Sequence, residues 1–243
     1  MNIIKLNAID STNTFLKDLS VTENLENFTI VSTENQTKGK GQRGNVWFSE
    51  SGKNLTFSVY LKDFDVQKYS PFLLNILVPI SIIEILETYN LPNIFIKWPN
   101  DIMADNKKMG GILIESVFKN QNTLEIIVGI GLNINQTQFN DLQKVTSLAL
   151  IFGKEVNIEE LLITIVNQFK LNYSKLKQVD ANYFWNKYHQ KLFRKDKPSV
   201  FLDKNKKLFQ AIIQRVTYDG KLELLLEDDT LKIFDIKEIT LKY

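Results

Sequence analysis

The chain has 243 residues, with 30 Lys and Arg against 28 Asp and Glu and a net charge of +2. That balance gives no strongly basic footprint for nucleic acid, though it leaves room for a local patch. Cys is absent and His occurs once, which excludes disulfides, Cys nucleophiles and a Cys/His zinc site made from this chain.

The N-terminal MNIIKLNAID has no uninterrupted apolar run, so no secretory signal is expected. No stretch reads as the roughly 20 apolar residues that cross a bilayer. The expectation is a cytoplasmic protein without a membrane partner. Ser11, Thr12 and Asn13 follow Asp10 and precede TFLKDL, where they can cap a short helix. Strands are expected at 28–32 (FTIVS) and 55–61 (LTFSVYL). Residues 71–89 are apolar and helical in period, with Pro79 as an expected kink or break. IFIK at 94–97 reads as a strand, 101–104 and 111–117 as a hairpin turning at Asp105-Asn106-Lys107, and 124–132 as another strand. Helical patterns cover 158–176 and 181–192.

From Lys197 onward the pattern changes to short strand-like runs, and Asp219-Gly220 marks a hairpin turn. The fold class is therefore α+β, with a larger domain over 1–192 and a small β-barrel over 193–243. An open sheet edge would also allow a homodimer. The single His189 lies in NYFWNKYHQKLF, an aromatic-rich helical pattern with no GxSxG elbow in the chain, so it reads as a packing or helix-surface residue.

Seven of the ten glycines fall in three short stretches, 39–44, 110–111 and 129–131. Glycine weakens a strand unless something must approach the backbone closely, so these clusters are expected to line one ligand-contacting surface. Gly39-x-Gly41-x-x-Gly44 has the spacing of a dinucleotide-binding turn, but Asn45 to Ser49 does not continue as a helix. It is also not a Walker A loop. The better reading is a mobile loop that closes over an anion with backbone N–H groups, Lys38, Lys40 and Arg43, and with Trp47 as a stacking plate. In IKWPNDIMADNKKMGGILIE, Pro99 bends the chain after a strand and leaves Lys97, Asn100 and Asp101 near its end. An Asp-Asn pair suits Mg²⁺ bound with phosphates. Lys108, placed across the hairpin from Asp101, could neutralise charge on a transferring phosphate. Alone, each also reads as an ordinary turn or hairpin residue. Asn133, in GIGLNIN, could reach ribose or phosphate or simply cap the strand.

Taken in order, STN, QTKGKGQRGNVW, KWPND with KMGGILIE, and GIGLNIN resemble the motifs of biotin–protein ligases, and the β-rich tail resembles that family's SH3-like domain. The resemblance implies a class II synthetase-like and lipoate-ligase-like catalytic fold with a mixed or antiparallel sheet. It implies ATP and Mg²⁺, biotin as substrate, biotinyl-5′-AMP as intermediate, and a lysine of a biotin carboxyl carrier protein as acceptor. On the biotin side it places Ser11, Thr12, Asn13, Gln36, Lys40, Gly41, Gln42, Lys108, Gly111 and Gly129. On the ATP side it places Arg43, Trp47, Lys97, Asn100, Asp101 and Asn133, with Asp101 at the metal. Lys108, Arg43 and Lys40 carry the implied catalysis. The family loop is commonly GRGRRGR. Lys40, Gln42 and Asn45 depart from it, and Gln42 lacks the charge that helps retain the adenylate. Only ten residues precede Ser11, so a monofunctional enzyme without a DNA-binding domain is expected. The rival readings are a lipoate or octanoate ligase of the same fold, and a non-enzymatic RNA- or protein-binding module using the locally basic FLDKNKKLFQ.

Overall fold

The computed structural model describes residues 2–91, 93–118, 123–139 and 142–243. Its first body is a seven-stranded sheet. β1 (Ile3–Ile9) pairs parallel with β2 (Ile30–Gln36), and β3 (Asn54–Asp65) lies antiparallel beside β2. Then come β7 (Thr123–Asn133), β6 (Lys107–Phe118), β5 (Asp101–Ala104) and β4 (Ile94–Lys97), all antiparallel to their neighbours.

The two-residue period of a strand sorts this sheet into two faces. Leu55, Phe57, Val59 and Leu61 of β3 enter the main core, as do Leu124, Ile126, Val128, Ile130 and Leu132 of β7. Against that face pack α2 (Leu74–Thr88), α4 (Ile158–Lys175) and α5 (Asn182–Gln190). The opposite face carries α1 (Thr12–Thr22), whose Leu16 joins Val31, Tyr60 and Ile127 in a smaller cluster.

Pro79 does not break α2. The helix runs through it as one element, preceded by a 3₁₀ turn at Pro71–Leu73 that Ser70 caps. Burial on nearly every side of α2 supplies the packing that offsets one lost backbone bond. The stretch Pro71–Thr88 is also long and apolar enough to cross a bilayer by length and composition, contrary to the sequence expectation, but 67% of it is buried inside this fold. Glu84 of α2 sits among helix partners: Lys187, Asn172 and Gln168 all donate to it. Burial works to raise its carboxyl, yet these donors outweigh burial and hold it below the usual range. The short helix α3 (Leu148–Phe152) and strand β1 were not read from the sequence.

The C-terminal module is a five-stranded antiparallel sheet of β8 (Pro198–Asp203), β9 (Leu208–Val216), β10 (Leu222–Leu226), β11 (Leu231–Phe234) and β12 (Ile239–Lys242), ordered β11-β10-β9-β8-β12. Its Phe201, Ile213 and Leu224 belong to the same continuous core as the first sheet. Several contacts dock it, among them Tyr218 donating from its hydroxyl to Asn182 Oδ1. Trp98 Nε1 donates to the Gly220 carbonyl at 2.9 Å. Backbone bonds join Ile96 to Lys191 and Phe193. His189 of α5 accepts from the Val216 N–H at 3.1 Å.

Burial pulls the His189 imidazole below its ordinary value of 6.5, and the nearby Lys195 and Arg215 charges add to that. The unfolded chain therefore binds a proton there more readily than the fold does. Stability from this group is complete above about pH 6.5 and falls as pH drops through that value toward the lowered one. Urea unfolding midpoints should decline over that window for the wild type and flatten in His189→Gln. A parallel decline in both would exclude His189 as the cause.

Candidate active site

One cross-strand row on the α1 face of the sheet builds the site. Thr56, Gly131, Gly111, Asp101 and Lys97 lie directly opposite one another across five strands. Ser58, Gly129 and Leu113 form the next row. Opposed residues point to the same face, so three glycines strip the middle of this face of side chains. The result is a cavity of about 350 Å³ floored by backbone. It lies under the 38–47 loop on one side and reaches Phe193 and Leu241 on the other.

The glycines are filled from above by neighbours. A Cβ at Gly131 would come within 2.6 Å of Trp47 Cε2, and one at Gly111 within 3.5 Å of Trp47 Cζ3. Trp47 thus lies flat on the glycine pair. Its indole N–H is buried without a hydrogen-bond partner among the described residues. A buried unpaired donor costs about 1–3 kcal/mol, so this position suits an acceptor supplied by a ligand.

The loop over the cavity is folded as a tight hairpin. Gly41 N donates to Asn45 O at 2.7 Å and Trp47 N to Gly39 O at 2.9 Å. Gln42–Gly44 form one 3₁₀ turn, with Arg43 in the left-handed region at φ 60°. Arg43 is exposed at the cavity rim, beside Gln42 and Gly41. Lys40 Nζ donates to Thr14 Oγ1 at 2.9 Å, which ties the loop to α1.

At the α1 end of the cavity the groups are polar and neutral. Ser11 caps the helix by accepting from the Thr14 N–H. Thr12 donates to Gln36 Oε1 from its backbone N–H at 2.8 Å and its hydroxyl at 3.0 Å. Asn13 lies over Gly129, where a Cβ would come within 2.3 Å of its Oδ1. Both Asn13 amide hydrogens are used, on Glu115 Oε2 at 2.7 Å and the Leu113 carbonyl at 3.4 Å. Ser58 Oγ sits 2.6 Å from its Oδ1. Asn13 is therefore a filled strut of the wall; Thr12, whose hydroxyl also sits 2.7 Å from Ser58 Oγ, holds Gln36 in place, and Ser11 and Gln36 keep the most capacity to meet a ligand. Sequence reasoning missed Ser58, Thr56 and Glu115; their signal was a polar residue inside an apolar strand pattern.

At the other end the groups are charged. Asp101 holds Lys108 Nζ on Oδ1 at 2.6 Å and Lys97 Nζ on Oδ2 at 3.1 Å, with all three side chains mostly shielded from water. Strand register puts Lys108 opposite Met103 and Asp101 opposite Gly111, with a bulge between, so Lys108 reaches Asp101 diagonally. One carboxylate between two ammonium groups leaves a net positive charge with spare N–H donors, an arrangement that attracts phosphate or carboxylate. The same arrangement counts against Asp101 as a ligand for a resident metal, because both its oxygens are taken. Among the described residues no cluster of three or more His, Cys, Asp or Glu could hold one. Asn100 also lines the cavity, but its amide donates to the Ile112 carbonyl at 2.7 Å and fixes the turn after the cis Trp98–Pro99 bond. Asn133 does not line the cavity. It is buried and donates to the Thr146 carbonyl at 3.1 Å, bracing the segment beside Lys108.

A family model described as the biotin/lipoate A/B protein ligase family matches residues 6–133. A bifunctional ligase/repressor of Bacillus spizizenii is 30% identical over 177 residues, covering 71% of this chain and 54% of that protein. A human biotin–protein ligase is 35% identical over 124 residues, 46% of this chain and 17% of that protein. The chain spans about half or less of the length of the curated relatives it matches. The solved biotin protein ligase of Aquifex aeolicus in complex with biotin and ATP superposes with a TM-score of 0.82 at 27% identity, covering 99% of this chain and 98% of that one.

The strut can be tested without any ligand. Gly129→Ala forces Asn13 away from Ser58 and Glu115, and should lower unfolding stability by about 1–3 kcal/mol in urea titrations. A midpoint equal to wild type would contradict the close packing described here.

Proposed function

The chain belongs to the biotin/lipoate A/B protein ligase family, and we propose that it is an ATP-dependent biotin–protein ligase. The observation that carries this reading is the arrangement along the glycine floor. A neutral hydrogen-bonding end, Ser11, Thr12 and Gln36, faces a cationic end, Lys97 and Lys108, across a cavity walled by Trp47 and Asn13 over the glycines. Biotin has that polarity: a neutral ureido ring joined by an apolar chain to a carboxylate. The likeness to a relative solved with biotin and ATP supports the same assignment.

In the first step a biotin carboxylate oxygen attacks the α-phosphorus of ATP. A P–O bond forms, the bond to the β-phosphate bridge breaks, and pyrophosphate leaves with the electron pair. Lys108 holds the two anions together and stabilises the charge that grows between them. Lys97 shares Asp101 with it and keeps the cluster cationic. Lys40, Gly41, Gln42 and Arg43 lie over the adenylate, and the Trp47 ring packs beside adenine. Magnesium would arrive as the counter-ion of ATP and would supply neutralisation of phosphate charge. In the second step a lysine amine of a biotin carboxyl carrier protein attacks the acyl carbon, and AMP departs. The setting proposed is the cytoplasm.

ATP–pyrophosphate exchange with biotin, lipoate, octanoate or no acid tests the reading. Biotin-dependent exchange is expected. Exchange with lipoate or octanoate alone would move the substrate, and no exchange from folded protein with carrier domain present would refute the reading. Lys108→Ala should lower biotin-dependent exchange by ~10²–10³, the range for a lost transition-state donor. Near wild-type exchange would remove Lys108 from its role. Gln42→Arg should slow release of biotinyl-5′-AMP, read by the dissociation rate of radiolabelled adenylate; an unchanged rate would show that position 42 does not retain it.

A further inference from the structure

The C-terminal module meets the lysine cluster through one aromatic ring. Tyr243, just after β12, lies with its ring centre 5.1 Å from Lys97 Nζ and 4.8 Å from Lys144 Nζ. Phe193 holds the ring from its edge, with centroids 5.3 Å apart and planes at 77°. Lys97 and Lys144 support Lys108 by different routes. Lys97 shares the Asp101 carboxylate with it. Lys144 belongs to a segment that clamps the Lys108 backbone from both sides: Lys108 N donates to Lys144 O at 2.8 Å, and Thr146 N donates to Lys108 O at 2.9 Å.

We propose that Tyr243 is a positioning residue for Lys108, acting through Lys97 and Lys144. The inference rests on the ligase reading above. A π face attracts ammonium groups, so one ring can hold two like charges that would otherwise drive each other apart. Holding both fixes the ion-pair arm and the backbone arm of Lys108 together. Burial pushes the Tyr243 phenol up; the Asp101 carboxylate adds to this and Lys108 opposes it, so the ring lies within electrostatic reach of the pair. By this contact the β module contributes to the reactive centre as well as to the core.

Tyr243→Leu keeps apolar bulk and removes the π face; Tyr243→Phe keeps the face. Two quantities are read on the full chain. One is kcat and KM of biotin-dependent exchange. The other is the acetylation rate of Lys108 by an acetyl N-hydroxysuccinimide ester, followed by mass spectrometry with Lys53 as internal reference. Two weakened cation–π contacts predict a roughly tenfold lower kcat in Tyr243→Leu, with KM for biotin within about twofold. Lys108 acetylation should change at least about threefold in that variant, and Tyr243→Phe should match wild type in both quantities. Unchanged Lys108 acetylation in Tyr243→Leu with a wild-type unfolding midpoint overturns the proposal, as does an equal defect in Tyr243→Phe. Wild-type protein without biotin-dependent exchange would count against the ligase reading, while the acetylation rates still decide the role of Tyr243.

Discussion

Everything in the site depends on clearing one face of a β-sheet. Successive strand residues point to opposite faces, so a glycine removes a side chain from one face only. Gly111, Gly129 and Gly131 are spaced so that all three deletions fall on the same face of adjacent strands. Their neighbours in sequence, Ile112, Val128, Ile130 and Leu132, stay in the core on the other face. The sheet keeps its apolar packing, and the cleared face lets Trp47 settle on Gly111 and Gly131 and Asn13 on Gly129 as walls of the cavity. Gly110, one residue from Gly111, serves the opposite face: a Cβ there would come within 2.3 Å of Leu132 Cδ2. The adjacent glycines thus answer two different constraints.

Charge is arranged along the same row. Asp101 and Lys97 continue the line of Gly131 and Gly111, and the bulge after Ile102 lets Lys108 join them. A shielded carboxylate with two lysines is costly to desolvate, and its stability depends on keeping all three partners. As an anion site it has a clear use: the excess positive charge is fixed in place before the ligand arrives, so little reorganisation is needed on binding.

Much of this was legible in the sequence. The glycine clusters pointed to one surface, which Gly111, Gly129 and Gly131 share while Gly110 serves the core face, and most strand and helix assignments follow from period and turn residues. What escaped were features that need register. Ser58 and Glu115 look like stray polar residues until strand pairing sets them around Asn13. Asn133 shares the face of Gly129 and Gly131, yet its amide is spent on Thr146. Lys108 does meet Asp101 across the hairpin as expected, but the bulge that makes the contact diagonal is visible only in the register. β1 was missed because Lys5 and Asn7 interrupt its apolar residues and it lies at the sheet edge. α3 has only five residues, too few to show a helical period. α2 runs unbroken through Pro79 because packing around the helix outweighs one lost hydrogen bond.

The central claim is that the cavity beside the glycine row holds the acyl adenylate between the neutral end and the lysine pair. A crystal structure of the chain grown with biotin and ATP tests it most directly. Ligand density is expected in the cavity beside Trp47 and Asn13, with the ring near Thr12 and Gln36 and Lys108 in hydrogen-bond contact with the acyl phosphate. Density for the same ligand outside that cavity, or with its phosphate remote from Lys108, would contradict this.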